Sequence, residues 1–140
     1  MPTVVRDIMK RKVVTIAAGE RLSTVEDIMT LGGVRHIPVV RSGKLVGVVT
    51  ERDLLRTSLS NINQYGADAR RAFLSEVEIA RVMSAPPITI DEDAPVEHAA
   101  REMAVLKIGC LPVVTGDDEF IGMVTETDLL RHFAGLSPTD

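Results

Sequence analysis

The sequence predicts an α+β protein made of two copies of one β-α-β-β-α unit related by pseudo-twofold symmetry, and three observations carry the prediction. GVVTERDLLR at 47–56 returns as GMVTETDLLR at 122–131, and IPVV at 37–40 returns as LPVV at 111–114. The register is steady: Met9 with Met83, Thr15 with Thr89 and Pro38 with Pro112 are each 74 residues apart. After a one-residue insertion near Asp117 the offset becomes 75, as in Gly47 with Gly122 and Asp53 with Asp128. Within each copy, apolar residues at helical spacing alternate with short β-branched runs. Two copies of one supersecondary unit place a pseudo-twofold cleft between them, and that cleft is where a function is expected.

In the first copy a short helix is expected over 3–9 and a short strand over 13–16. Leu22, Val25, Ile28, Met29 and Leu31 then recur at helical spacing behind a cap at Ser23 or Glu20. Residues 36–40 and 45–50 are β-branched runs joined by Arg41-Ser42-Gly43-Lys44, a hairpin connection. The run ending at Thr50 passes straight into a helix, with Thr50 as N-cap and Asp53 three residues on, a capping-box spacing with Asp in place of the usual Glu. The second copy repeats the order: strand 88–90, helix 96–106, strands 111–114 and 120–125, helix 126–133. Pro95 falls at the start of its helix, where a missing N–H costs nothing.

The repeats are assigned to 1–60 and 79–140, with a connector at 61–78. The polar stretch 58–70 reads as a loop, while Ala72, Phe73, Val77, Ile79 and Val82 read as a helix leading into Met83. The connector is given no chemistry of its own.

Composition narrows the function classes. A chain of 140 residues with 45% hydrophobic and 26% charged residues has the make-up of a soluble globular protein. One cysteine, Cys110, permits no intrachain disulfide and points to a reducing compartment. The first residues mix acid and base within any apolar run, unlike a signal peptide, and no run approaches a membrane span, so a cytoplasmic protein without a membrane partner is expected. A net charge of −4 and 3% aromatic residues argue against a nucleic-acid partner. His36, His98, His132 and Cys110 have no partners at zinc-site spacing, so no metal site is expected. No nucleophile–base pair or complete cofactor-binding pattern is visible, which argues against an enzyme.

The motif that does carry chemistry is glycine, two apolar residues, Thr, two variable residues, Asp. It places a hydroxyl and a carboxylate on one turn at the mouth of a helix. Asp53 or Asp128 could there accept from both hydroxyls of a ribose, while Thr50 or Thr125 and nearby backbone N–H groups meet sugar or phosphate oxygens. The plainer reading is that the threonines cap helices and the aspartates favour the positive helix ends.

Each half resembles a cystathionine-β-synthase (CBS) domain, and the whole resembles a stand-alone tandem pair, or Bateman module. The carriers are IM followed by VVTI, HIPVV and GVVTERD in the first half, matched by VM, ITI, CLPVV and GMVTETD in the second; the ordered set covers essentially the full chain. The resemblance implies two repeats packed through their sheets and clefts that bind AMP, ADP, ATP, NAD or S-adenosylmethionine. It extends the nucleotide-binding set to Thr15, Ile16, Ile37, Pro38, Thr89, Ile90, Leu111 and Pro112 beside the Thr and Asp residues. It also implies that basic residues beside the PVV strand reach phosphates, which selects Arg35 and His36, with Arg52 close behind.

The halves differ in charge. Arg35-His36, Arg52 and Lys10-Arg11-Lys12 of the first copy correspond to Gly109-Cys110, Thr127 and Ser84-Ala85-Pro86 of the second. The first copy is therefore expected to anchor phosphate more firmly. The resulting reading is a regulatory module that senses an adenosine nucleotide and acts on a separate, unidentified protein target or on its own assembly; the alternative is a dimeric scaffold with vestigial clefts. A homodimer is expected in either case. Its interface is expected on exposed apolar helix faces carrying Leu22, Val25 and Met29 or Val96, Ala99 and Met103.

Overall fold

The computed structural model describes residues 2–139. Its elements run α1 (Val5–Ile8), β1 (Ile16–Ala17), α2 (Leu22–Gly32), β2 (His36–Arg41), β3 (Lys44–Thr50) and α3 (Glu51–Leu74). After a 3₁₀ turn (Ile79–Arg81) come β4 (Ile90–Asp91), α4 (Val96–Leu106), β5 (Cys110–Val114), β6 (Phe120–Thr125) and α5 (Glu126–Phe133). The strands form two three-stranded sheets, β1-β2-β3 and β4-β5-β6, each with one parallel and one antiparallel pairing. Mixed α+β architecture and the β-α-β-β-α order of each repeat are thus as the sequence predicts. Among the described residues no helix is long and apolar enough to cross a membrane.

The chain divides into two compact units. One is contiguous, Val14–Pro87; the other combines Met1–Val13 with Ile88–Asp140. Each repeat therefore keeps its sheet and two helices but takes its leading segment from in front of the other repeat.

In the contiguous unit, Ile79 N–H donates to Glu20 C=O, Ala80 N–H to Ala18 C=O, and Leu22 N–H, at the start of α2, to Val77 C=O. Val48 and Ser84 then exchange a pair of backbone hydrogen bonds at 3.1 and 2.9 Å. Leu22, Ile37, Leu74 and Ile79 are fully buried here, and each such side chain stabilises the fold by roughly 1.5–3 kcal/mol relative to exposure.

The second unit repeats the pattern with the N-terminal segment. Val5 N–H donates to Ala94 C=O, Arg6 N–H to Glu92 C=O and Val96 N–H to Thr3 C=O, while Lys10 and Met123 exchange bonds at 2.7 and 2.9 Å. Val5, Ile8 and Met9 join Val96, Leu111, Val113 and Val124 in its core.

Several local expectations are corrected. The first strand of each repeat is only two residues long, Ile16–Ala17 and Ile90–Asp91, because Val14 and Ile88 lie outside the ladder and are exposed. Helix α1 is a single turn, Val5–Ile8, shorter than the span 3–9. The N-cap of α2 is Arg21, with no side-chain cap; its first amide is satisfied by the Val77 carbonyl.

The polar stretch read as a loop belongs to α3, which extends to Leu74 and is interrupted at Gly66, whose φ of 80° and ψ of −177° no helix accommodates. The turns after Gly66 are held to α2 by tertiary contacts: Arg70 and Arg71 pair with Glu26, Arg71 pairs with Asp27, and Leu74 enters the core. No helix leads into Met83, since the chain turns after Leu74 and forms only the short 3₁₀ segment. Finally, Leu22, Val25, Met29, Val96, Ala99 and Met103 are not exposed: all are core residues at 0–7% exposure, covered within their own units by sheet and leading segment.

Candidate functional site

Both Thr–Asp motifs stand where a strand passes directly into a helix. β3 ends at Thr50 and α3 starts at Glu51; β6 ends at Thr125 and α5 starts at Glu126. A strand can deliver its last residue to a helix without a loop only if that residue caps the helix, and both do. Asp53 N–H donates to Thr50 Oγ1 at 3.2 Å, and Asp53 Oδ2 accepts from Thr50 N–H at 2.9 Å and from the Thr50 hydroxyl at 3.0 Å. In the second repeat the corresponding distances are 3.4, 2.8 and 3.0 Å. The expected capping box is present twice.

The glycine that opens each motif has a separate cause. A Cβ on Gly47 would lie 2.7 Å from Met83 Sδ and 2.8 Å from the Ser84 carbonyl oxygen, so the leading segment crosses the strand only over a residue without a side chain. The motif is thus a seat for the crossing segment as well as a helix cap.

The two carboxylates then part company. No described residue bonds Asp53 Oδ1, and Asp53 as a whole is 8% exposed. Asp128 Oδ1 is instead engaged by the Lys10 ammonium, in a pair whose side chains are 1% and 27% exposed respectively. The sequence reading counts Lys10 among the charges of the first copy, and the structure corrects this by placing its ammonium on the second repeat's Asp128. Lys10 lies 118 positions from Asp128, and only the crossing of the N-terminal segment into the second unit brings them together.

The remaining predicted residues fall into two groups. His36 lies across from Thr50 in the β2–β3 ladder, and the Arg35 carbonyl accepts from Glu51 N–H at 2.9 Å, so both flank the Asp53 mouth. Arg52 is exposed on the first turn of α3, and Thr15 and Thr89 are exposed just ahead of their strands. Pro38 and Pro112 are buried within their strands, and Ile16, Ile37, Ile90 and Leu111 are core residues. In the second repeat, Cys110 faces Thr125 in the ladder, and Gly109 C=O accepts from Glu126 N–H at 3.1 Å. Burial, with the Glu126 charge adding to it, pushes the Cys110 thiol up to about 12, so at neutral pH it is not a thiolate.

Comparison with known proteins agrees with this architecture. The uncharacterized protein MJ1225 of Methanocaldococcus jannaschii is 33% identical over 133 residues, covering 94% of this chain and 47% of that protein. A CBS domain-containing protein of Dictyostelium discoideum is 31% identical over 131 residues, covering 93% of this chain and 90% of that one. The chain thus spans about half the length of the first relative and nearly all of the second. Among solved structures, the CBS domain pair of protein MJ0100 in complex with 5′-methylthioadenosine and S-adenosyl-L-methionine superposes with a TM-score of 0.79 at 29% identity. That match covers 96% of this chain and 98% of that one. The CBS domain profile matches residues 5–60 and 78–135, two copies that take in most of the sequence, and the chain therefore belongs to the CBS domain family as a tandem pair.

Proposed function

We propose that the chain is a regulatory module that binds an adenosine-containing ligand, of the class AMP, ADP, ATP, NAD or S-adenosylmethionine, and converts occupancy into a change of shape or association. The observation that carries the reading is Asp53. Its carboxylate is held in place by one oxygen through the Thr50 cap, and no described residue bonds the other, which leaves that oxygen to accept from the hydroxyls of a ribose. The likeness to the MJ0100 domain pair supports the same ligand class, since both molecules in that complex carry adenosine. Arg35, His36 and Arg52 supply cationic or hydrogen-bonding groups for a phosphate. The proposed role is binding without catalysis. A ligand shifts such a module only through unequal affinity for its states.

The association we propose is a homodimer. Leu31 and Val105, at equivalent places near the ends of α2 and α4, are 87% and 72% exposed, and they are the apolar side chains we assign to its interface.

Calorimetry with a panel of adenosine ligands, for the natural chain and Asp53→Ala, tests the ligand reading. Binding that is weakened on the order of tenfold or more by the substitution is expected, from loss of a charged acceptor. Binding unaffected by the substitution, or no binding by any member of the panel, overturns it.

A further inference from the structure

We propose that Lys10 makes the two Thr–Asp motifs unequal, closing the second repeat's carboxylate to a ribose and leaving Asp53 as the sugar acceptor of the chain. The proposal rests on the nucleotide reading above and names which repeat takes the sugar.

Both oxygens of Asp128 have partners inside the protein. Oδ2 accepts from the Thr125 N–H and hydroxyl, and Oδ1 accepts from the Lys10 ammonium. The lysine is no loosely held surface charge. Its backbone is fixed by the two hydrogen bonds it exchanges with Met123, one residue from the Gly122 seat, and its carboxylate partner is buried. A charge-assisted bond of this kind is stronger than the one a neutral hydroxyl would offer the same oxygen, so a ribose hydroxyl that took the lysine's place would gain less than it displaced. Burial acts in the same direction. The Asp128 side chain is 1% exposed, which leaves little of it for a sugar to reach.

The first repeat has the same backbone arrangement without the cation. Ser84 stands at the position equivalent to Lys10 and exchanges the equivalent pair of hydrogen bonds with Val48. Its side chain ends at a hydroxyl, and Asp53 forms no ion pair with any described residue. The inequality therefore reduces to one position in each leading segment, lysine against serine.

Reciprocal substitution tests it. Titrating the full-length chain with adenosine, which carries the diol and no phosphate, is expected to give one site per chain. Lys10→Ser should add a second site, and Ser84→Lys should weaken the first by tenfold or more. Lys10→Met keeps the aliphatic stem and removes the charge; it serves if Lys10→Ser does not fold, and thermal melts establish folding for each chain. Two equal sites in the natural chain, or one site in both Lys10 variants, overturns the inference while the nucleotide reading stands. Absence of binding in every chain, with AMP and S-adenosylmethionine also tried, overturns both.

Discussion

Gly122 lies so close beneath Lys10 that a Cβ added to it would stand 2.6 Å from the Lys10 carbonyl oxygen and 3.0 Å from Met9 Sδ. A methionine end can turn aside, but that carbonyl is fixed by the hydrogen bonds between Lys10 and Met123. Gly122→Ala should therefore push the leading segment off β6 and lower stability by about 1–3 kcal/mol, the usual range for overpacking. Gly47→Ala should behave alike through Ser84. Denaturant melts of both variants that match the natural chain would show that the segments yield without cost.

Arg35 is exposed beside the Asp53 mouth, so a contact with phosphate there would be partly screened. Arg35→Ala should weaken AMP by up to about fivefold, in line with exposed ion pairs, and leave adenosine unchanged. Raising the salt concentration should shrink the gap between the two ligands in the natural chain. Equal losses for AMP and adenosine would assign Arg35 to the fold and not to the phosphate.

Cys110 gives a prediction at high pH. Its folded-state thiol is raised, by burial first and by Glu126 second, from an ordinary value of 9.0 to about 12. The unfolded chain ionises this thiol first. Its contribution to stability is therefore complete below pH 9 and is lost as pH climbs towards 12. A thiol reagent at pH 8 should leave the native protein unmodified and react with one equivalent after unfolding.

At the acidic end the relevant groups join α3 to α2. The Glu26 carboxyl loses some of its acidity to burial, but hydrogen bonds from Arg71 and Arg70 outweigh this and hold it below its ordinary value of 4.5; Asp27 is held below 3.8 chiefly by its hydrogen bond from Arg71. Lowered folded-state values mean that the stabilisation is present above these pH values and disappears as pH falls through the folded ones. Arg71→Ala, which removes a partner of both acids, should flatten the acid limb of the stability profile. An unchanged profile between pH 5 and 2 would discount the cluster.

If Leu31 and Val105 mark the dimer surface, placing a charge at either should dissociate it without unfolding the chain, because both side chains are exposed. Sedimentation of Leu31→Asp and Val105→Asp should give monomers where the natural chain gives dimers at tens of micromolar. A monomeric natural chain, with and without nucleotide, counts against the dimer.

What was legible in the sequence was local. The β3–α3 and β6–α5 junctions could be read directly because Thr and Asp three residues apart make a cap whatever surrounds them, and both capping boxes are present. The amphipathic pattern of Leu22, Val25 and Met29 disclosed an apolar face but not what covers it; the cover is the unit's own core, which only the tertiary arrangement supplies. The helical state of residues 58–70 was hidden for a related reason. That stretch is polar, and the anchorage at its end comes from Arg70 and Arg71 facing acids on another helix. Lys10 and Asp128 were read as members of different repeats, since periodicity registers which residues correspond and is silent on which ones meet.

The exchange of leading segments also orders events in time. Everything needed for the Val14–Pro87 unit has been synthesised before residue 88 is added, whereas the other unit joins residues 1–13 to a stretch that begins at Ile88. Residues 1–13 therefore reach their partners only after residues from 88 onward are made, and the entropy of closing so long a loop slows that step. A circular permutant that starts at Val14 and carries residues 1–13 after residue 140, on a linker long enough to span the join, would make both units contiguous. Its folding should lose the slow, long-range closure and keep the rest.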